Sequence, residues 1–222
     1  MARPRVVPAT STLPSVSTAT RILGLAERLA QTRGFNGFSY ADIAEELNIT
    51  KASLHYHFAT KAALGVALID RYSKAFAEAL ARIDATSPNA RAKLKQYVQV
   101  YRSVLVDGRM CLCGMLAAEY ATLPSPMQAA IRAFFDQNEA WLKGVFATAQ
   151  HDRTLAFSGS AVEAARLLTA ALEGAMLLAR SYDEADRFST TAAHLVRELV
   201  GGPVASPSRT VRQRRATRGP AH

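Results

Sequence analysis

The sequence predicts an all-α protein in two parts: a small three-helix head containing a helix-turn-helix, and a helical bundle reached through a long helix. Three observations predict this class. Apolar residues recur at helical spacing along most of the chain. Residue types that favour helix caps precede several of these segments. Residues 39–57 contain two short amphipathic segments separated by a tight turn.

The chain opens with an arm, residues 1–17, which is rich in Pro, Ser, Thr and Val and is expected to be disordered. The first helix follows at Thr20–Arg33, and Gly34 is the expected C-terminal glycine. Its apolar stripe consists of Ile22, Ala26, Leu29 and Ala30.

The second helix is predicted at Ser39–Leu47. Ser39 is a favourable N-cap. Asp42 lies three residues later, where its carboxylate can accept a hydrogen bond from the backbone N–H of Ser39. Asn48 follows, and Asn tolerates the left-handed backbone angles of a tight turn.

The third helix is predicted at Lys51–His57, capped by Thr50, with Leu54 facing inward. The outward residues combine a cation, small residues that permit close approach, and hydrogen-bonding groups. A helix that enters the major groove of DNA needs this mixture. An ordinary helical hairpin with a polar face is the alternative. The outward residues are Lys51, Ala52, Ser53, His55 and Tyr56.

The run Asn48–Leu64 resembles the recognition-helix signature of the TetR/AcrR family of transcriptional regulators. The resemblance extends upstream through the first helix and the link Gly34–Phe38, and its most specific part is Tyr56–Lys61. The family usually has Tyr where this chain has His55. The resemblance implies a DNA-binding head, and the expected DNA-binding residues are Ser39, Thr50, Lys51, Ala52, Ser53, His55, Tyr56 and Lys61.

A long connecting helix is expected at Lys61–Asp84, capped by Thr60. Its inner side is predicted to carry Leu64, Leu68, Tyr72, Ala75, Phe76, Leu80 and Ile83. Five further helices are predicted at Asn89–Val106, Cys111–Ala121, Met127–Gln150, Ser160–Ser181 and Phe188–Val200. The expected domains are a head at 18–64, an effector-binding and dimerisation bundle at 65–202, and a disordered basic tail at 203–222.

The segment Ser160–Ser181 is apolar on nearly every face and must be covered on two sides. One side can face the interior of the bundle, and the other needs a partner. We expect a homodimer, as the family resemblance also implies; the alternative is an internal helix of a monomer. The expected interface residues are Leu167, Ala171, Gly174, Ala175, Leu178, Leu195 and Leu199.

A small-molecule effector is expected in the middle of the bundle, where aromatic and flexible apolar side chains accompany a few polar groups. Ordinary core packing is the alternative for each. Glu119 falls on an otherwise apolar helical stripe, so it is expected either to pair with an arginine or to lie at a pocket wall. The expected effector residues are Tyr97, Tyr101, Cys111, Met115, Glu119, Phe134, Asn138, Trp141, Leu172 and Met176.

The only cysteines, Cys111 and Cys113, are two positions apart, so on a helix they point about 200° away from each other and cannot form a disulfide. They are interpreted as small buried apolar residues. The alternative is that Cys111, just after Arg109, has a lowered pKa and senses electrophiles or oxidants.

The net charge of +9 suggests nucleic acid, but seven of these charges lie in residues 1–18 and 201–222, so the motif is the stronger argument. Arg3 or Arg5 could enter a minor groove, although a solvated arm is the simpler interpretation. No apolar run has membrane length, and the cysteine content fits a reducing cytoplasm. We expect no cofactor and no metal site. Hydrolase and phosphate-loop motifs are absent, so an enzyme is not expected.

These features predict a dimeric, sequence-specific DNA-binding regulator. It is expected to repress from a palindromic operator in double-stranded DNA and to be released by a small-molecule effector. One alternative is a ligand-independent architectural DNA-binding protein that depends on the arginine-rich tail. A weaker alternative is a helical binding protein that has lost DNA recognition.

Overall fold

The computed structural model describes residues 17–105 and 108–201. In these ranges the chain forms nine α-helices and one 3-10 turn, Tyr120–Thr122. Apart from Ser17, the predicted arm lies outside the described residues, as does the predicted tail. The helices are α1 Thr18–Arg33, α2 Tyr40–Leu47, α3 Lys51–His57, α4 Lys61–Thr86, α5 Ala90–Leu105, α6 Leu112–Ala118, α7 Ser125–His151, α8 Ala161–Ser181 and α9 Ala185–Gly201.

The head is built from α1, α2, α3 and the start of α4, and its helix ends follow the predicted caps. Ser39 and Asp42 form a reciprocal capping box at α2, and Asn48 ends that helix with a positive φ of 52°. The Thr50 hydroxyl accepts a hydrogen bond from the Ser53 N–H at 3.1 Å and starts α3. Leu54 is fully buried. The predicted helix-turn-helix is confirmed in these details.

The predicted helix Cys111–Ala121 is wrong at both ends. Cys111 has a non-helical backbone and precedes α6, and Glu119 ends the helix before the 3-10 turn. The predicted start of the next helix at Met127 is also late. Helix α7 begins at Ser125, and Pro126 lies in its first turn, where the missing N–H of a proline has no helical acceptor to lose.

Other helix ends shift outward by a few residues. The Ser17 hydroxyl accepts a hydrogen bond from the Thr20 N–H at 3.2 Å, so α1 begins at Thr18. Helix α4 continues to Thr86, and α9 begins at Ala185. Ala75 was predicted on the inner side of α4 but is exposed, because it lies about 100° around the helix from the buried Phe76.

The body packs α7 against α8, α8 against α9, and α4 against α7, while α5 covers α4 and α9. Helix α4 passes from the head into the body: Leu64 and Leu68 are buried near its start, and Phe76 and Leu80 are buried further along. Helix α1 contacts α6, so the head also touches the body directly. Within 17–105 and 108–201, no helix combines the length and apolarity that crossing a membrane requires.

Candidate functional site

The outer face of α3 is open to solvent. Lys51, Ala52, His55 and Tyr56 are exposed, and Ser53 is half-buried. Tyr56 is 86% exposed, more than any other large apolar side chain of the described residues. The short side chains near the helix start leave the backbone accessible, as close approach to base edges requires.

His55 is held in one orientation on this face. Its Nδ1 lies 3.1 Å from the carbonyl oxygen of Ala59, and its ring lies 5.0 Å from the ring of Tyr40. The Tyr40 hydroxyl donates a hydrogen bond to the Phe58 carbonyl at 2.8 Å. Because a carbonyl only accepts, the neutral His55 ring carries its proton on Nδ1, and Nε2 is left as an acceptor.

Three residues expected at the DNA surface have hydrogen-bond partners within the head: Lys61, Ser39 and Thr50, whose hydroxyl caps α3. The Lys61 ammonium donates to the carbonyls of Phe35, at 2.6 Å, and Phe38. It also lies over both phenyl rings, 4.7 Å and 4.6 Å from their centroids. The Ser39 hydroxyl bonds within the capping box of α2. Lys61 therefore joins the α1–α2 link to α4, and a flexible phosphate contact from it does not fit this geometry.

Glu119 was predicted at the effector site, but its carboxylate faces the head. It accepts hydrogen bonds from the backbone N–H groups of Phe35, at 2.7 Å, and Asn36, at 3.2 Å. Gly34 allows this approach: its φ is 84°, and a Cβ there would lie 2.6 Å from Glu119 Oε1. Neither predicted environment, an arginine partner or a pocket wall, is correct, because backbone N–H groups satisfy the carboxylate.

Arg180 makes a second connection between body and head. Its guanidinium donates to the carbonyls of Gln31, at 3.1 Å, and Thr32, at the C-terminal end of α1. A cation there is favourable because the last carbonyls of a helix lack helical partners. Met115, another predicted effector residue, lies beside this guanidinium, with its Sδ 3.3 Å away. We call Gln31–Asn36, Glu119 and Arg180 the head–body junction.

Most of the other predicted effector residues lie together in the body core. Tyr97 stacks on Trp141 at 5.6 Å and contacts Tyr101 at 5.3 Å. Phe134 lies 5.2 Å from Phe76, a residue that the sequence analysis had not assigned to the site. Tyr97, Tyr101, Phe134, Asn138, Leu172 and Met176 are buried, and Trp141 is partly buried. The cavity beside Phe134 and Asn138 measures about 20 Å³, so this core is closely packed.

Glu173 is the polar residue of this core that sequence reasoning missed. Both its carboxylate oxygens are buried and form no well-directed hydrogen bond within the described residues. Burial raises the pKa of Glu173 to about 7. The nearby Cys111 thiol and Tyr101 hydroxyl act in the opposite direction and lower this pKa by less than burial raises it. A Cβ at Gly114 would lie 2.2 Å from Glu173 Oε2, so only a glycine admits the carboxylate here.

Other polar atoms of the core also lack a well-directed hydrogen bond within the described residues. They are both amide atoms of Asn138 and the hydroxyl of Thr169. Each such group costs about 1–3 kcal/mol of stability, so their concentration with Glu173 in one core is typical of a functional site.

The cysteine sensor hypothesis is wrong in its premise. Cys111 and Cys113 are both buried and reduced. Burial and the nearby Glu173 carboxylate raise the pKa of Cys111 well above its ordinary value, and the same two causes raise the pKa of Cys113. Thiolate formation is therefore disfavoured at both, which fits two small buried apolar side chains.

The face of α8 that points away from the core carries exposed apolar side chains. Leu167 and Leu178 are 54% and 55% exposed. Of the other residues predicted at the dimer interface, Gly174 is exposed and Ala171 and Leu195 are half-buried, whereas Ala175 and Leu199 are buried inside the protomer. Those last two face the core because α8 and α9 are rotated slightly from the predicted orientation. Leu177 and Tyr182 are exposed and had not been predicted.

A helix-turn-helix head with an open second helix, mounted on a helical bundle with its own polar core, defines a DNA-binding regulator. The family model for bacterial regulatory proteins of the tetR family matches residues 22–68. The transcriptional repressor NemR of Escherichia coli strain K12 is 26% identical over 190 residues, which are 84% of this chain and 95% of NemR.

Solved structures agree along most of the chain. A TetR transcriptional regulator from Legionella pneumophila is 32% identical with a TM-score of 0.77, covering 84% of this chain and all 100% of that one. A TetR-family regulator from Agrobacterium tumefaciens is 29% identical with a TM-score of 0.79, covering 82% of this chain and 97% of that one. The chain belongs to the TetR family of transcriptional regulators, whose members bind DNA and are not enzymes.

Proposed function

We propose that the chain is a homodimeric repressor that binds a palindromic operator through α3 and is released when a small molecule enters the body core. The observation that carries the proposal is the outer face of α3, whose Tyr56 is 86% exposed while Leu54 beneath it is fully buried. The capped ends of α2, α3 and α4 hold this face in a fixed orientation.

The proposed DNA contacts divide by chemistry. In this proposal Lys51, Thr50 and Tyr56 contact phosphates, while Ser53 and His55 contact base edges. Ala52 permits close approach. Ser39 and Lys61 act indirectly: Ser39 fixes the start of α2, and Lys61 fixes the α1–α2 link.

The proposed dimer uses the exposed face of α8. Leu167, Leu178 and Tyr182 are each more than half exposed, and the exposed Gly174 between them lets a second helix approach closely. Two α3 helices related by a two-fold axis would meet half-sites centred about 34–36 Å apart, or a multiple of that distance. Operator affinity then depends on the separation of the two heads.

The proposed effector route begins in the closely packed core around Glu173 and Asn138, which would have to open for a ligand to reach the unpaired polar atoms. Helix α4 joins this core to the head, and the head–body junction offers a second path through Glu119 and Arg180. A ligand shifts the population only if it binds the state released from DNA more tightly.

The decisive experiment is a genomic footprint of the purified protein, followed by operator titration at fixed salt. We expect protected palindromes, and we expect Lys51→Ala and Tyr56→Ala each to weaken binding by roughly fivefold or more. Lys74→Ala is the matched control, because Lys74 is exposed on α4 and pairs with Asp70. Equal operator binding by all three variants would show that α3 does not contact DNA.

Two further measurements separate the parts of the proposal. The double change Leu167→Glu and Leu178→Glu should give a monomer by light scattering and weaken operator binding. Deletion of residues 203–222 should leave sequence-specific binding in place. Loss of most affinity on that deletion would instead support an architectural DNA-binding protein.

A further inference from the structure

A groove between α5 and α9 lies on the surface of the body, separate from the core around Glu173. Its volume is about 640 Å³, within the usual range for small-molecule sites. The floor is apolar, formed by Val98, Ala192 and Val196. Val98 and Val196 are 7% and 8% exposed, and Ala192 is fully buried.

Cations surround this floor. Arg91, Lys95 and Arg102 lie at i, i+4 and i+11 along α5, which places them on one side of the helix. Arg197 faces them from α9, and its guanidinium contacts His194 Nδ1 at 2.5 Å. The groove lining contains no carboxylate.

These charges differ from three other cations of the body, which form ion pairs. Lys93 pairs with Asp84, Arg166 with Glu139 and Arg187 with Glu184. Over the described part of the chain, no carboxylate lies within ion-pair distance of Arg91, Lys95 or Arg102. Like charges gathered on one concave surface repel each other unless an anion compensates them.

A buried hydroxyl provides an independent indication of a ligand. Ser189 lines the groove from α9. Its Oγ is buried and has no hydrogen-bond partner among the residues that the structure describes. A hydroxyl can both donate and accept, so it suits the head group of a ligand that the surrounding cations attract.

We propose that the groove between α5 and α9 binds an organic anion with an apolar body and a carboxylate or phosphate head. The apolar body would cover Val98 and Val196, and the head would bind Lys95, Arg102 and Arg197. A small molecule fits better than a nucleic acid or an acidic protein because the cations ring a concave apolar floor. This site is distinct from the core proposed for the effector and does not depend on it.

Calorimetric titration of the full-length protein tests the proposal with octanoate and octyl phosphate as probes. We expect at least one of them to bind with a Kd below about 1 mM. Octylammonium and inorganic phosphate should each bind at least tenfold more weakly, because each lacks one half of the proposed recognition. Equal binding of octylammonium, or equal binding of inorganic phosphate, would overturn the proposal, and so would failure of both anionic probes to bind.

Variants then locate the binding. Lys95→Gln with Arg102→Gln should weaken the anionic probe at least tenfold. Lys74→Gln with Lys143→Gln removes the same charge from α4 and α7, outside the groove, and should leave binding unchanged. Ala193→Phe, at an exposed position in the lining, should block the probe while thermal unfolding shows an intact fold.

Unchanged binding in the first double variant or in Ala193→Phe would overturn the proposal. If Lys95→Gln with Arg102→Gln instead weakens operator binding without any anion present, the groove binds nucleic acid and the assignment to a small molecule is wrong.

Discussion

The head and the body differ in how they treat buried polar groups. In the head, Tyr40, Lys61 and the caps of α2 to α4 have hydrogen-bond partners. Within the described residues the exceptions at its edge are Gln31 Oε1 and Arg71 Nη1, the latter on α4 beside α1. In the body, Glu173, Asn138 and Thr169 are buried with unpaired atoms.

This difference matches two separate requirements. A surface that contacts DNA must present its side chains in a fixed orientation, which paired groups supply. A core that changes on binding a ligand can keep unpaired groups, each at a cost of about 1–3 kcal/mol. The unpaired groups that lower stability are therefore concentrated in the body, while the paired groups of the head keep the DNA-facing side chains in a fixed orientation.

The largest expected effect is at Glu173. Its pKa is about 7 when folded and near 4.3 when unfolded, so the native state holds its proton more tightly. Glu173 therefore lowers stability as pH rises through the interval between these values, and the full penalty of about 4 kcal/mol is present above the upper one. We expect Glu173→Gln to remove this loss, measured as free energy of unfolding by urea denaturation against pH.

Glu78→Gln is the control for this titration, because Glu78 is exposed on α4. It should follow the wild-type curve. Parallel curves for wild type and Glu173→Gln from about pH 4 to 8 would mean that Glu173 titrates normally and that the body core is not under electrostatic strain.

The next largest effect is expected in the head at Lys61. Lys61→Met keeps the length of the side chain but removes its donation to the carbonyls of Phe35 and Phe38. Hydrogen bonds from a charged group are the stronger kind, so we expect a loss of about 2 kcal/mol in the free energy of unfolding. Lys74→Met, at an exposed ion pair, should change it by less than about 0.5 kcal/mol. Similar losses in both variants would contradict the role given to Lys61.

A smaller loss is expected at the start of α2. Ser39→Ala removes the hydroxyl that bonds Asp42 and the N–H of Ala41, which should cost about 1 kcal/mol. Operator affinity should fall as well, because α2 positions α3. Ser103→Ala, at an exposed hydroxyl of α5, serves as the control in thermal unfolding and in operator titration. An unchanged melting temperature for Ser39→Ala would show that the capping box does not stabilise the head.

The smallest effect concerns base preference at His55. Because Nδ1 faces the Ala59 carbonyl, Nε2 should accept from an exocyclic amine, N6 of adenine or N4 of cytosine. We expect wild type and His55→Gln to bind operators with such a base at one position about threefold more tightly than operators without it, because this ratio corresponds to the free energy of a single hydrogen bond. His55→Phe should show no preference in a competition assay with substituted operators. Equal preference in the Phe variant would place His55 away from the bases.

Sequence reasoning located the head well because its signals are local. Ser39, Asn48 and Thr50 act on backbone groups within a few residues. It failed at Glu119, whose partners, Phe35 and Asn36, are 84 and 83 positions away in the chain. The unusual carboxylate was visible in the pattern, but its partner depends on tertiary packing.

The body shows the same limit. Helix α8 is apolar on most faces, so periodicity could not decide that Ala175 would be buried and Leu177 exposed. Glu173 was visible only as a charge within an apolar helix. Its burial depends on Gly114 of a different helix, which leaves room for the carboxylate.

The last turn of α8 faces the head on one side and the surface proposed for the second chain on the other. Arg180 donates to the C-terminal carbonyls of α1, while Leu177 and Leu178, just before it, are exposed on the surface proposed for the second chain. Subunit pairing and operator binding would then be thermodynamically reciprocal: operator DNA would lower the dimer dissociation constant by the same factor by which dimerisation raises the affinity for operator. The quantity to measure is therefore dimer dissociation with and without DNA, and the ratio of the two constants gives the strength of this linkage.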